Sequence, residues 1–173
     1  NINTVAADGT FALVDGVTAV APNTNATLDT AAGAVTQSAG KLVRTDTGGA
    51  GATGGLELKG AATYTLTDTA NEVSTIAVST GAGVVKYVDA SGLTVGTVNT
   101  VGITRTADVL LNTQTGNLTL AQNVDVGTTN AVRLQAVTGA VTQTGGTITA
   151  GTLGVNAGTS INLASNNALV NAG

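Results

Sequence analysis

Short apolar–polar–apolar triplets recur along the whole chain: Phe11-Ala12-Leu13, Leu56-Glu57-Leu58, Leu93-Thr94-Val95, Leu118-Thr119-Leu120 and Ile161-Asn162-Leu163. A period of two places both apolar residues of a triplet on one face of an extended strand. β-Branched residues are abundant, and Gly, Asn, Asp or Ala-Gly punctuates the chain every few residues. Glycine at this density would cost a helix about 1 kcal/mol at each position. The elements expected are many short strands.

Two longer periods lie over the triplets. Gly33-Ala34-Val35-Thr36-Gln37 returns unchanged as Gly139-Ala140-Val141-Thr142-Gln143. Around these copies Leu28 matches Leu134, Val17 matches Val124, and Gly9 to Leu13 lines up with Gly116 to Leu120. Downstream, Leu56-Glu57-Leu58 matches Leu153-Gly154-Val155, and Tyr64-Thr65-Leu66 matches Ile161-Asn162-Leu163. The unit is about 106 residues long, with one copy at 1–106 and a truncated second at 107–173. The first copy carries an extra Gly-rich stretch from Arg44 to Gly55.

The finer period joins Leu66, Val88, Leu110, Leu134 and Val155 in one series. Val73, Val95, Leu118, Val141 and Leu163 form a second, and Val126, Ile148 and Leu169 a third. Three apolar positions per winding of about 21 to 23 residues predict a three-sided parallel β-helix, a β-solenoid continuous over 1–173. An antiparallel sandwich is the alternative. Its hairpin dipeptides are confined to Asp8-Gly9 and Asp15-Gly16. Open strand edges at both ends, and a start at Asn1 without methionine, are expected of an excerpt that continues in a longer protein or stacks end to end.

The run Gly-Ala-Val-Thr-Gln-Ser/Thr-x-Gly followed by an apolar triplet resembles repeats of filamentous-haemagglutinin-like exoproteins, long Gram-negative surface proteins exported by two-partner secretion. Ala90-Ser91-Gly92-Leu93-Thr94-Val95-Gly96-Thr97-Val98 and Gly116-Asn117-Leu118-Thr119-Leu120 resemble them too. The resemblance covers nearly the whole chain and implies a right-handed β-helix, an extracellular or cell-surface location, and a role as shaft or adhesive fibre. Implied partners are a host or neighbouring-cell surface, or other copies of the chain, with export through an outer-membrane transporter. The family's secretion domain, with its Asn-Pro motifs, has no counterpart here, since the single proline, Pro22, follows Ala21.

Composition narrows the chemistry. Aromatic residues are 2% and charged residues 9% of the chain, against roughly 25% charged in average domains. Glycine has no three-residue period, which excludes collagen, and the aliphatic content is too high for a disordered chain. Without Cys there are no disulfides or thiolate sites, and without His the commonest general base and zinc ligand are missing. A net charge of −4 argues against a nucleic-acid partner. Six scattered Lys and Arg make no polybasic patch, and no apolar run approaches a membrane span. Neither a cofactor nor an enzymatic activity is expected.

Each remaining candidate meets a plainer alternative. A polysaccharide-active β-helix enzyme, the remote alternative, would gather two or three acids on neighbouring windings. Asp15, Asp29, Asp46, Asp68 and Asp89 instead sit where an Asx side chain caps a turn, and matching positions of the second copy hold Gln122 and Gln135. Gly48-Gly49-Ala50-Gly51, Gly54-Gly55 and Gly145-Gly146 lack the Asp of calcium-binding nonapeptides and are expected as turns with positive φ. Thr65-Leu66-Thr67 and Thr147-Ile148-Thr149 suggest an ice-binding array. Along the Leu66 series, however, the flanks become Tyr87/Asp89, Val109/Leu111 and Arg133/Gln135, so no array is expected. Gln37 and Gln143 are expected to bond backbone or a neighbour in the next winding. Phe11, Tyr64 and Tyr87, the only aromatics, leave little for sugar stacking. The insertion, represented by Arg44, Thr45 and Asp46, is the candidate interaction loop.

Overall fold

The computed structural model describes residues 10–13, 17–18, 25–40, 43–45 and 54–172. Among these the chain is strand and turn with no helix, wound as a parallel β-helix. The first face is a ladder of β1 (Thr10–Leu13), β4 (Ala34–Gln37), β7 (Thr63–Leu66), β9 (Val85–Asp89), β12 (Val109–Thr113), β15 (Ala131–Ala136) and the distal part of β17 (Ile148–Ala157). The second face runs through β10 (Leu93–Val95), β13 (Leu118–Leu120), β16 (Val141–Gln143) and β18 (Ile161–Asn162). The third runs through β11 (Ile103–Thr104), β14 (Val124–Asp125), the start of β17, and β19 (Ala168–Ala172).

In the earlier windings the second and third faces are one strand: β3 (Ala26–Asp29), β6 (Gly55–Lys59), then β8 (Thr75–Val78). β8 hands its first half to β10 and its last residue to β11. The remaining side there is the short pair β2 (Val17–Thr18) and β5 (Val43–Arg44), prolonged by a parallel bridge from Arg44 to Glu72.

Inward side chains stack like on like. Val35, Tyr64, Val85, Val109, Val132 and Leu153 are successive register partners and all are buried. Leu58, Val78, Ile103, Val124 and Ile148 do the same on the opposite side. Each such burial stabilises the fold by about 1.5–3 kcal/mol relative to an exposed side chain. Successive partners are 21 to 24 residues apart from Tyr64 onward, and 29 apart from Val35 to Tyr64, where residues 46–53 are inserted.

The apolar series read from sequence are corrected in register. Leu66 pairs with Tyr87 and then Leu111, not with Val88 and Leu110. A slip of one residue exchanges inside for outside, and Tyr87 and Leu111 are the inward members. In the second series Val95 precedes Leu120, while Leu118 follows Leu93 and leads to Ile161 rather than Leu163. In the third, Ile148 follows Val124, and Leu169 follows Ala150. These last errors are of two residues and keep the face.

The matched segments of the 106-residue unit lie on different faces. Val35 is on the first and Val141 on the second, four windings and one further side later.

Candidate functional site

The described residues on either side of the insertion, Thr45 and Gly54, lie against each other. Arg44 Nη2 donates to Glu72 Oε2 at 2.7 Å, and the buried Thr45 donates its N–H to the Glu72 carbonyl at 3.1 Å. Glycine is needed at 54, for a Cβ there would stand 1.8 Å from the Thr45 carbonyl oxygen. Arg44 and Thr45 thus belong to the wall, stapled to the next winding through Glu72. Asp46 lies outside the described residues, as do Asp15 and Gly48 to Gly51.

An excursion from the wall separates β10 from β11. Residues 97–101 form a strap closed by a Gly102 N–H to Gly96 carbonyl bond of 2.8 Å and an antiparallel bridge between Thr97 and Val101. It folds back over the outward side of β3 and β6, bringing Val98 to within 2.7 Å of where a Gly55 Cβ would be. Beneath it Glu57 accepts hydrogen bonds from Thr27 Oγ1 and Asn99 Nδ2, both at 2.9 Å, and from Thr100 Oγ1. Its residue exposure is 2%. Burial alone would raise its pKa. The bonds from Thr100, Asn99 and Thr27, with Lys59 nearby, outweigh that and hold the carboxyl below its ordinary value. Once register is fixed the strap shows as spacing: Val95 to Ile103 spans twice as many residues as Leu120 to Val124, their ladder partners.

Other polar side chains join winding to winding. Gln143 and Asn167 exchange reciprocal amide bonds of 2.9 and 3.0 Å, and Asn167 Oδ1 also caps the Ile148 N–H at 2.8 Å. Gln37 and Asn71 repeat the arrangement, with Asn71 Oδ1 capping the Val43 N–H at 2.8 Å. The two glutamines of the repeated Gly-Ala-Val-Thr-Gln thus lock onto the next winding, as expected. Asp68 caps Ala70 at 3.0 Å and Gly40 at 2.9 Å. Asp89 accepts from Val73 N–H, Ser91 N–H and Tyr87 Oη, each at 2.9 Å, while burial pushes its carboxyl above the ordinary range. Asp29 instead lies 3.5 Å from Lys59 across the ladder.

Arg105 occupies an inward position and is 1% exposed. All five of its N–H donors meet backbone carbonyls of earlier windings. Nε and Nη2 reach Gly83 at 3.0 and 2.8 Å, Nη2 reaches Ala62 at 2.8 Å, and Nη1 reaches Gly60 at 2.6 Å and Ser79 at 3.2 Å. Gly81 makes room, since a Cβ there would stand 2.3 Å from Nη1. The guanidinium carbon lies 5.9 Å from the Tyr64 ring centre.

Outward positions form their own columns. Contrary to the expectation that no threonine array survives, Thr75, Thr94, Thr119 and Thr142 stand in register on the second face. Gly96, Ala121 and Thr144 lie beside the last three, so no parallel threonine column accompanies it. On the first face Lys86, Leu110, Arg133 and Gly154 share a column. Tyr64 and Tyr87 are fully buried and offer no ring to a sugar. Among the described residues, no three Asp, Glu, His or Cys side chains gather into a metal-holding group. Comparison with known proteins gives no matching family model, no matching curated protein and no matching solved structure.

Proposed function

We propose that this chain is a stalk or fibre segment of a large bacterial surface-exposed or secreted adhesin-type exoprotein, of the filamentous-haemagglutinin-like kind its repeats resemble. Under this proposal it spaces or displays other parts of the protein, outside the cell, and copies of it associate into filaments. One observation carries the reading. Buried polar side chains, among them Asn71, Gln143, Asp89 and Arg105, bond to neighbouring windings and so stiffen the shaft. An interior committed to winding-to-winding bonds suits a spacer. The test exchanges residues 25–172 in the parent protein for an unrelated β-helix of equal length. A stalk role predicts retained adhesion after exchange and shortened reach after deletion. Adhesion lost on exchange, with surface display intact, contradicts it.

The threonine column from Thr75 to Thr142 favours a second reading, a ligand-binding solenoid. Thermal hysteresis that disappears in Thr94→Val/Thr119→Val would place it ahead of the stalk.

A further inference from the structure

We infer that the outward side of the first face, from β9 to β17, binds a linear carboxylated polysaccharide laid along the solenoid axis. This goes beyond a spacer role. Lys86 and Arg133 are both exposed and stand in one column, with Leu110 between them. At about 4.8 Å per rung their backbones are about 9.6 Å apart. Of the other described cations, Arg44 and Lys59 are ion-paired and Arg105 is buried. Lys86 and Arg133 have no ion pair among the described residues.

The surface around them is shaped for a chain. Two hollows of about 340 and 360 Å³ both border Leu110 and Arg133, one lined from Val84 to Arg133 and the other from Leu110 to Asn156. Half-buried Leu110 floors the passage. Beyond Arg133 the column continues as Gly154, where even an added Cβ would meet nothing nearer than Arg133 Cγ at 3.9 Å. Asn112, Gln135 and Asn156 form the neighbouring column and supply amides for hydroxyl groups. Asp108 is the acid on the rim, and one of its oxygens is engaged by the Ala131 N–H at 2.8 Å.

Spacing and charge select the occupant. An extended peptide repeats its side chains on one face at about 6.8 Å, short of the cation spacing. A glycan with a uronate on alternate sugars places its carboxylates close to that spacing. A nucleic acid would find no exposed aromatic ring to stack on among the described residues. A single exposed ion pair is weak, so two in register along one polymer are what make binding measurable.

Titration calorimetry at low salt with hyaluronan oligosaccharides, which carry glucuronate on alternate sugars, tests the assignment. Binding should weaken roughly fivefold in Lys86→Gln and again in Arg133→Gln, vanish in the double variant, and fall with added salt. Lys59→Gln, on another face, should bind as the parent does, and all variants should keep the parent circular dichroism and melting point. No binding to the parent, equal binding of neutral dextran, or undiminished binding by the folded double variant would each overturn the inference.

Discussion

Asn71 holds several parts of the fold at once. Its oxygen caps Val43, while its amide nitrogen reaches Gln37 and the carbonyls of Leu66 and Val88. Removing such a group strands buried partners, each at about 1–3 kcal/mol. Asn71→Ala should therefore destabilise more than Gln143→Ala, whose partner Asn167 is only half-buried. A urea-denaturation double-mutant cycle on Gln143 and Asn167 should return a coupling of about 1 kcal/mol. Arg105→Lys keeps the charge but loses the fork, leaving several of its carbonyls without a donor, at a cost of about 3 kcal/mol or more. The two buried carboxylates respond oppositely to pH. Glu57 titrates below its ordinary 4.5 in the fold, so its contribution is complete above about pH 4.5 and is lost as pH falls through the folded value. Glu57→Gln should flatten that acid limb in denaturation curves taken from pH 7 down to about 3. Asp89 is raised in the fold, so falling pH relieves its burial penalty, and Asp89→Asn should remove a stabilising trend over the same range. A steeper acid loss in Glu57→Gln would contradict the strap geometry.

Turns, strands and the strap differ in how far the sequence discloses them. Period-two triplets and glycine punctuation reveal short strands because they report local geometry. Register is not local. Val109-Leu110-Leu111 offers apolar residues to both faces, and Tyr87 beside Val88 disguises which of the two is inward. The strap was illegible because Val98-Asn99-Thr100 has ordinary composition, and its partners Thr27 and Glu57 are some forty to seventy residues away in sequence. Of the candidate loop, Arg44 and Thr45 proved to be wall residues, for insertion and strand meet without a compositional break. Glycines separate by surroundings too. Gly60 has φ +78 and a Cβ there would stand 2.1 Å from the Thr30 carbonyl oxygen, whereas Gly127 has φ +72 and open space. Gly60→Ala should cost about 3 kcal/mol or more, and Gly127→Ala about 1 kcal/mol, in the melting free energy. Equal costs would mean that windings do not approach as closely as described.

At the scale of the whole molecule each winding is a thin layer that cannot shield itself. Inward residues of the middle windings, such as Tyr87, Leu111 and Leu120, are completely buried, while Ile161 in β18 is 52% exposed. Aliphatic recurrence once per winding was enough to read this architecture, because stacking imposes the same inward chemistry on every layer. The cation column on the first face and the threonine column on the second emerge only once register is fixed. Everything above the residue scale therefore rests on parallel, in-register stacking. The chain has no cysteine of its own, so an introduced pair reports that stacking directly. Thr119 and Thr142 are register partners on outward positions, about 4.8 Å apart at their Cα atoms, within reach of a disulfide. Under mild oxidation Thr119→Cys/Thr142→Cys should close an intramolecular bridge, and Thr119→Cys/Asp125→Cys should stay reduced. The reverse result would place β13 in a hairpin and contradict the solenoid.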